Sequence, residues 1–161
     1  MAANKFAEQP TRAVDDRTCR SPLEQSSCVT AMKRVNADRR RVFHALTVPE
    51  YIETWFSAPG ALIGRTVVCR RDDSFSISYC CAESEQLRIL CSYKVCRRSK
   101  LSFTWRHDSV SERSVSLVKF WLEGDFGHTA VYVTHVGLEL SDRQWHQELW
   151  ESSLEKMCKL F

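Results

Sequence analysis

One imidazole sits where its chemistry could matter. His135 alternates in phase with Val131 and Val133, so the three side chains share one strand face. An inward histidine could orient a bound molecule or exchange a proton with it, because imidazole titrates near neutral pH. The plainer reading is a core histidine bonded to a backbone carbonyl, and the sequence favours it. The Trp105 N–H and the Tyr79 and Tyr93 hydroxyls also fall on apolar strand faces, and each needs a partner if buried. They could hold a ligand oxygen, one another, or water.

Other reactive constellations are thin. His107-Asp108 has serines nearby but no nucleophile-elbow glycines, so a Ser-His-Asp site is not supported. Glu83 and Glu85 read as solvated turn acids rather than an acid/base pair. Gly60 and Gly64 fit neither the dinucleotide nor the Walker phosphate pattern. The 8 cysteines are Cys19, Cys28, Cys69, Cys80, Cys81, Cys91, Cys96 and Cys158, and no pair has C-x-x-C spacing. No metal site, catalytic residue or cofactor is expected, and most of the thiols read as small buried hydrophobes in a reducing compartment. Arg39-Arg40-Arg41, Arg70-Arg71 and Arg97-Arg98 concentrate positive charge. Consecutive helical residues point in different directions, so the triplet reads as a solvated face and nucleic-acid binding is not expected.

The elements that must position these groups follow from periodicity. Residues 1–27 hold no sustained apolar period and read as a flexible extension preceding a domain over 28–161. Ser27 to Val35 reads as a first strand. Asn36, Ala37 and Asp38 offer N-cap candidates for a short helix carrying Val42, Phe43 and Leu46. Thr47-Val48-Pro49-Glu50 reads as a capping box opening a second helix with Tyr51, Ile52, Trp55 and Phe56. Strand alternation follows: Arg65 to Arg71, Phe75-Ile77-Tyr79-Cys81, Ile89-Cys91-Tyr93-Val95, Leu101-Phe103-Trp105, Val118-Phe120-Leu122 and Val131-Val133-His135. Trp121 and Tyr132 fall on the opposite face, where they could pair across strands or mark a partner surface. Ser141-Asp142-Arg143-Gln144 reads as a second capping box before a stripe of Leu149, Trp150, Leu154, Met157 and Phe161. A helix of about 20 residues spans about 30 Å, enough to cross a small sheet.

Composition agrees with one packed domain. The chain has 161 residues, 43% apolar and 27% charged, which suits a single core rather than disorder. Its 23 basic and 20 acidic residues leave +3, too balanced to imply nucleic acid or an anionic membrane. No apolar run approaches the roughly 20 residues of a membrane span, and no secretory h-region opens the chain. A soluble cytoplasmic protein is the expectation.

The element order and several short words resemble the START-like (SRPBCC) helix-grip superfamily, in particular the branch related to the C-terminal domain of the heat-shock protein 90 ATPase activator. The matching words are Val42-Phe43-His44-Ala45-Leu46-Thr47 with Pro49-Glu50-Tyr51 and Trp55-Phe56, then Leu101-Ser102-Phe103-Thr104-Trp105, then Val133-Thr134-His135-Val136-Gly137, and Trp150 with Leu154. Two turns depart from the branch: Asp72-Asp73 stands where a Gly-Gly is usual, and Arg97-Arg98-Ser99-Lys100 where a Pro-Pro is usual.

The resemblance implies an α+β helix-grip fold: about six or seven antiparallel strands curve around the long C-terminal helix, with two short helices after the first strand. It also implies an apolar pocket between sheet and helix. The residues whose strand or helix phase suits its lining are Phe75, Ile77, Tyr79, Tyr93, Phe103, Trp105, Phe120, Val133, His135, Trp150, Leu154 and Met157. The same side chains could equally fill a solid core. Three functions stay open: a carrier of a hydrophobic or amphipathic small molecule, a cavity enzyme of cyclase or dehydratase type, and a stress-response co-chaperone-like module with a chaperone partner.

Overall fold

The computed structural model describes residues 27–82, 86–109, 115–124 and 126–161. The N-terminal extension, Cys19 and the Glu83/Glu85 pair lie outside those residues.

The chain runs β1 (Ser27–Val35), α1 (Arg39–Thr47), α2 (Pro49–Trp55), β2 (Val67–Arg71), β3 (Ser74–Cys80), β4 (Gln86–Arg97), β5 (Lys100–His107), β6 (Ser116–Glu123), β7 (Thr129–Leu138) and α3 (Arg143–Cys158). The strands form one seven-stranded sheet in the order β1-β7-β6-β5-β4-β3-β2, and every neighbouring pair is antiparallel. β1 and β2 are therefore opposite edges, and α1 and α2 carry the chain from one to the other. This is the expected α+β helix-grip architecture.

Period-2 alternation puts one apolar face inward. Phe75, Ile77 and Tyr79 of β3 are buried with Leu101, Phe103 and Trp105 of β5. Val118, Phe120 and Leu122 of β6 join Val131, Val133 and His135 of β7. α3 buries Leu149, Trp150, Ser153, Leu154 and Met157 against them. Each large apolar side chain so buried contributes about 1.5–3 kcal/mol relative to exposure.

At each sheet edge a helix engages backbone groups that would otherwise be open to pairing with other chains. α3 lies along β1: Gln147 Nε2 donates to the Thr30 carbonyl at 3.1 Å, and Cys158 Sγ to the Arg34 carbonyl at 3.6 Å. Lys33 and Glu155 add an exposed ion pair at 3.0 Å. At the other edge, Glu53 of α2 accepts from the Val68 N–H of β2 at 2.8 Å.

Local details correct several expectations. Thr47 does not cap α2: its hydroxyl donates back to the Phe43 carbonyl at 2.9 Å, because Thr47 is still the last residue of α1. Pro49 forces the residue before it out of the helical region. Val48 is accordingly extended and serves as cap to both helices, with no side-chain bond. Ser141 likewise makes no capping box. The chain enters α3 through a single 3-10 turn, Leu140–Asp142, and the Ser141 hydroxyl donates to its neighbour Asp142 at 3.0 Å. α3 ends at Cys158, so Phe161 lies beyond it. By contrast, Asp38 caps α1 as expected, accepting from the Arg41 N–H at 2.9 Å.

The alternation of β4 also breaks. A register shift between Tyr93 and Val95 leaves Tyr93 half-buried and turns Val95 out to solvent. The cysteines do not fit the buried-hydrophobe expectation: of the seven described, all free, only Cys91 is buried. Cys28 and Cys69 are exposed because their strand phase opposes that of buried Val29 and Val68, and Cys96 is exposed near the end of β4 although it pairs with buried Leu101.

Gly124 closes the β6–β7 connection at φ +131, and a Cβ there would collide with the His128 carbonyl oxygen. Both the dihedral and the backbone contact exclude a side chain. Gly124→Ala is expected to lower stability by about 1–3 kcal/mol, read as a fall in the urea midpoint at constant m-value.

Candidate functional site

The aromatic side chains of the grip interior form one connected set. Phe75 packs on Tyr93 and Phe103 at centroid distances of 4.9 and 5.0 Å. Phe103 continues to Phe120, which meets Trp150 edge-on at 5.5 Å. Trp105 lies 5.5 Å from Trp150 and 5.4 Å from His135. These contacts join Phe75, Tyr93, Phe103, Trp105, Phe120, His135 and Trp150 of the sequence-expected lining.

The space left within it is small. A residual cavity of about 10 Å³ is bounded by Phe75, Ile77, Phe103, Trp105, Phe120 and Trp150 of the expected set. A volume of that size holds about one water. Tyr79, Tyr93, Val133, His135, Leu154 and Met157 do not border it. Leu46, Ile52, Trp55 and Phe56 do, closing one end from α1 and α2. Their helical spacing was legible in the sequence, but not that this stripe would plug the interior. The Trp55 N–H is spent on the Ala45 carbonyl at 2.8 Å, which pins α2 to α1.

His135 is fully buried and fully bonded. Its Nδ1 accepts from the Trp150 indole N–H at 3.2 Å. Indole only donates, so the ring proton must sit on Nε2. That proton is donated to Ser116 Oγ at 2.7 Å, and the Ser116 hydroxyl in turn donates to the Trp105 carbonyl at 3.2 Å. Burial, reinforced by His146 and His107 nearby, pushes the His135 pKa down to about 2. A neutral imidazole with both nitrogens occupied has no proton to exchange near neutral pH. It is a core histidine held by side chains rather than by the expected carbonyl.

A second histidine complements it. His146 of α3 is buried and meets His135 edge-on at 4.7 Å. Its Nδ1–H donates to the Asp142 carbonyl at 2.8 Å, which leaves Nε2 as a bare acceptor without a partner. Burial lowers the His146 and His107 pKa values as well. The Trp105 Nε1–H and the Tyr79 and Tyr93 hydroxyls are likewise buried without partners among the described residues. Burial pushes the Tyr93 hydroxyl up to about 12 and the Tyr79 hydroxyl up as well, so both remain protonated donors. Sequence reasoning missed His146. It precedes Leu149 and Trp150 by three and four residues, so the same stripe could have found it. Ser116 carried no such signal.

On the opposite sheet face, Trp121 pairs with Tyr132, which pairs with Met32 of β1. All three are exposed, and the Lys100 ammonium lies 4.4 Å from the Trp121 ring centre. Among the described residues no group of three or more His, Cys, Asp or Glu could hold a metal ion. None of the helices among the described residues is long and apolar enough to cross a membrane.

Residues 36–161 match the family of the activator of Hsp90 ATPase homolog 1-like protein. The chain belongs to that family. The fold of this activator-like chain is shared with solved structures far beyond sequence similarity. A protein from Chromobacterium violaceum superposes with a TM-score of 0.71 at 15% identity, covering 83% of this chain and 95% of that one. A Mycobacterium smegmatis protein gives 0.68 at 13% identity, covering 86% and 92%. One from Arthrobacter aurescens gives 0.67 at 16%, covering 86% and 87%. At such identities the likeness concerns the fold alone. No curated protein matches the chain in sequence.

Proposed function

We propose that this activator-like domain binds a small neutral molecule, apolar with one or two hydrogen-bonding groups, inside the grip. The observation that carries the reading is a set of buried polar atoms without partners among the described residues: Trp105 Nε1, which belongs to a residue bordering the cavity, and Tyr79 and Tyr93 Oη and His146 Nε2 in the core around it. Leaving such a group unsatisfied costs about 1–3 kcal/mol. A guest with an oxygen for the donors, or a hydroxyl for His146, would recover that cost. Among the described residues no charged side chain borders the cavity, which favours an uncharged guest.

The interior holds about 10 Å³ of free volume. A guest larger than water requires α2 and the segment after it to lift from α3, breaking the Ser57–Ser153 and Ser152–Ser57 hydrogen bonds of 3.0 Å each. The free thiols support a reducing, cytoplasmic setting.

The test is native mass spectrometry of freshly purified protein, followed by titration with the neutral dye Nile red. A reproducible small-molecule adduct and saturable dye binding are expected. Trp105→Phe keeps the ring and removes the donor, so it should weaken guest binding by about tenfold, equivalent to about 1.4 kcal/mol. Absence of both adduct and dye binding would reject the reading.

A second reading has its own observation. The exposed row of Met32, Tyr132 and Trp121 would suit a co-chaperone-like contact with a chaperone partner. Trp121→Ala should then abolish chaperone pull-down while leaving the interior site intact. The cavity-enzyme alternative is weakened, because both His135 nitrogens are occupied.

A further inference from the structure

A separate cleft opens at the other side of α1, between that helix, the β4–β5 turn and the residues after α3. Its volume is about 680 Å³. Its charged and titratable lining is Asp38, Arg40, Arg41, His44, Tyr51 and Arg98, and its apolar wall includes Phe43, Leu160 and Phe161. Sequence separates these groups widely: Arg40 and Arg41 lie on α1, Arg98 in the β4–β5 turn, Phe161 beyond α3. The fold brings two of the three arginine clusters to one place.

The three arginines form no ion pair among the described residues. Asp38 is the one acid in the lining, and one of its oxygens is engaged by the Arg41 N–H at the start of α1. The Arg41 guanidinium lies 5.2 Å from the Phe161 ring centre, and stacking of that kind leaves its in-plane N–H groups free to donate. Guanidinium forks match phosphate and carboxylate oxygens bidentately. The start of α1 adds partial positive charge to the same cleft.

We propose that this cleft binds a small amphipathic anion, a phosphate monoester with an apolar tail. Arg40, Arg41 and Arg98 take the phosphate, and Phe43, Leu160 and Phe161 take the tail. The site is distinct from the grip interior, whose cavity shares none of these residues.

Isothermal titration of the full chain with hexyl phosphate tests it, with inorganic phosphate and hexanol as the two half-ligands. Hexyl phosphate should bind saturably and about tenfold more tightly than either half alone. Arg98→Glu and Arg41→Glu should each weaken it about tenfold or more, since both residues are exposed and the fold does not rest on them. Phe161→Ala should erase the advantage of hexyl phosphate over inorganic phosphate. Arg88→Glu on β4 should leave hexyl phosphate binding unchanged, which ties the effect to the cleft rather than to net charge. No saturable binding, or binding indifferent to Arg98→Glu and Arg41→Glu in variants that melt like the parent, overturns the proposal. Binding confined to phosphatidylcholine vesicles containing phosphatidic acid, with none to hexyl phosphate, also overturns it and reassigns the cleft to a lipid surface.

Discussion

Trp150→Ala is expected to destabilise the domain by about 3–5 kcal/mol, read from urea unfolding followed by far-UV circular dichroism. Trp150 is buried at 1% exposure and packs on Trp105, Phe120 and His135. Alanine removes that packing and leaves a void between sheet and helix that the neighbouring rings can only partly fill. It also strips His135 Nδ1 of its donor, leaving a buried acceptor unpaired. Typical domains are stable by about 5–15 kcal/mol, so the loss is a large fraction of the total. Trp150→Phe separates the two causes: it keeps most of the ring packing and loses the hydrogen bond, and should cost about 1–2 kcal/mol. A Trp150→Ala loss under about 1 kcal/mol would mean that α3 is not seated on the sheet as described.

The second large effect is acid sensitivity. The unfolded chain protonates His135 near its ordinary value of 6.5, whereas the folded chain resists until about 2. Between those values the unfolded state binds more protons, so stability rises with pH and falls as pH drops. The His135 contribution is fully present above pH 6.5 and is lost progressively on acidification through the window down to about 2. Its limiting slope is about 1.4 kcal/mol per pH unit. His146 and His107, shifted the same way by burial, steepen the loss. Over the upper part of that window, before carboxylates titrate, His135 alone accounts for roughly 2 kcal/mol. Urea midpoints should fall between pH 6.5 and 5, and His135→Gln should flatten the profile while lowering stability at neutral pH. A stability profile flat over that interval would contradict the buried neutral imidazole.

Much of this fold could be read along the chain. Strand alternation marked Phe75-Ile77-Tyr79 and Leu101-Phe103-Trp105 as one face, since a period of two depends only on local backbone geometry. It also placed His135 inward and Trp121 with Tyr132 outward, as found. Asp38 was legible as a cap because its bond to Arg41 spans three residues. The same rule misled at Thr47 and Ser141, where an adjacent proline and an intervening 3-10 turn changed the backbone that a capping box requires. β4 shows a related limit: a bulge shifts the phase at Val95, and the shift belongs to the pairing with β5 rather than to β4 itself.

The candidate sites lie at the other extreme. That His135 is locked between Ser116 and Trp150 involves residues on three separate elements, and so does the convergence of Arg40, Arg41 and Arg98 with Phe161. Periodicity assigns each side chain to a face, and that much the sequence determined alone: an antiparallel sheet with one apolar face and a helix with one apolar stripe. How closely the two surfaces meet is a matter of tertiary packing. Only the folded structure decided that Trp55 and Phe56 fill the end of the grip, that about 10 Å³ remains inside it, and that the Trp105 N–H beside it has no partner among the described residues. The reason is physical: volume and hydrogen-bond pairing depend on distances between residues far apart in the chain, and those distances exist only once the core has closed.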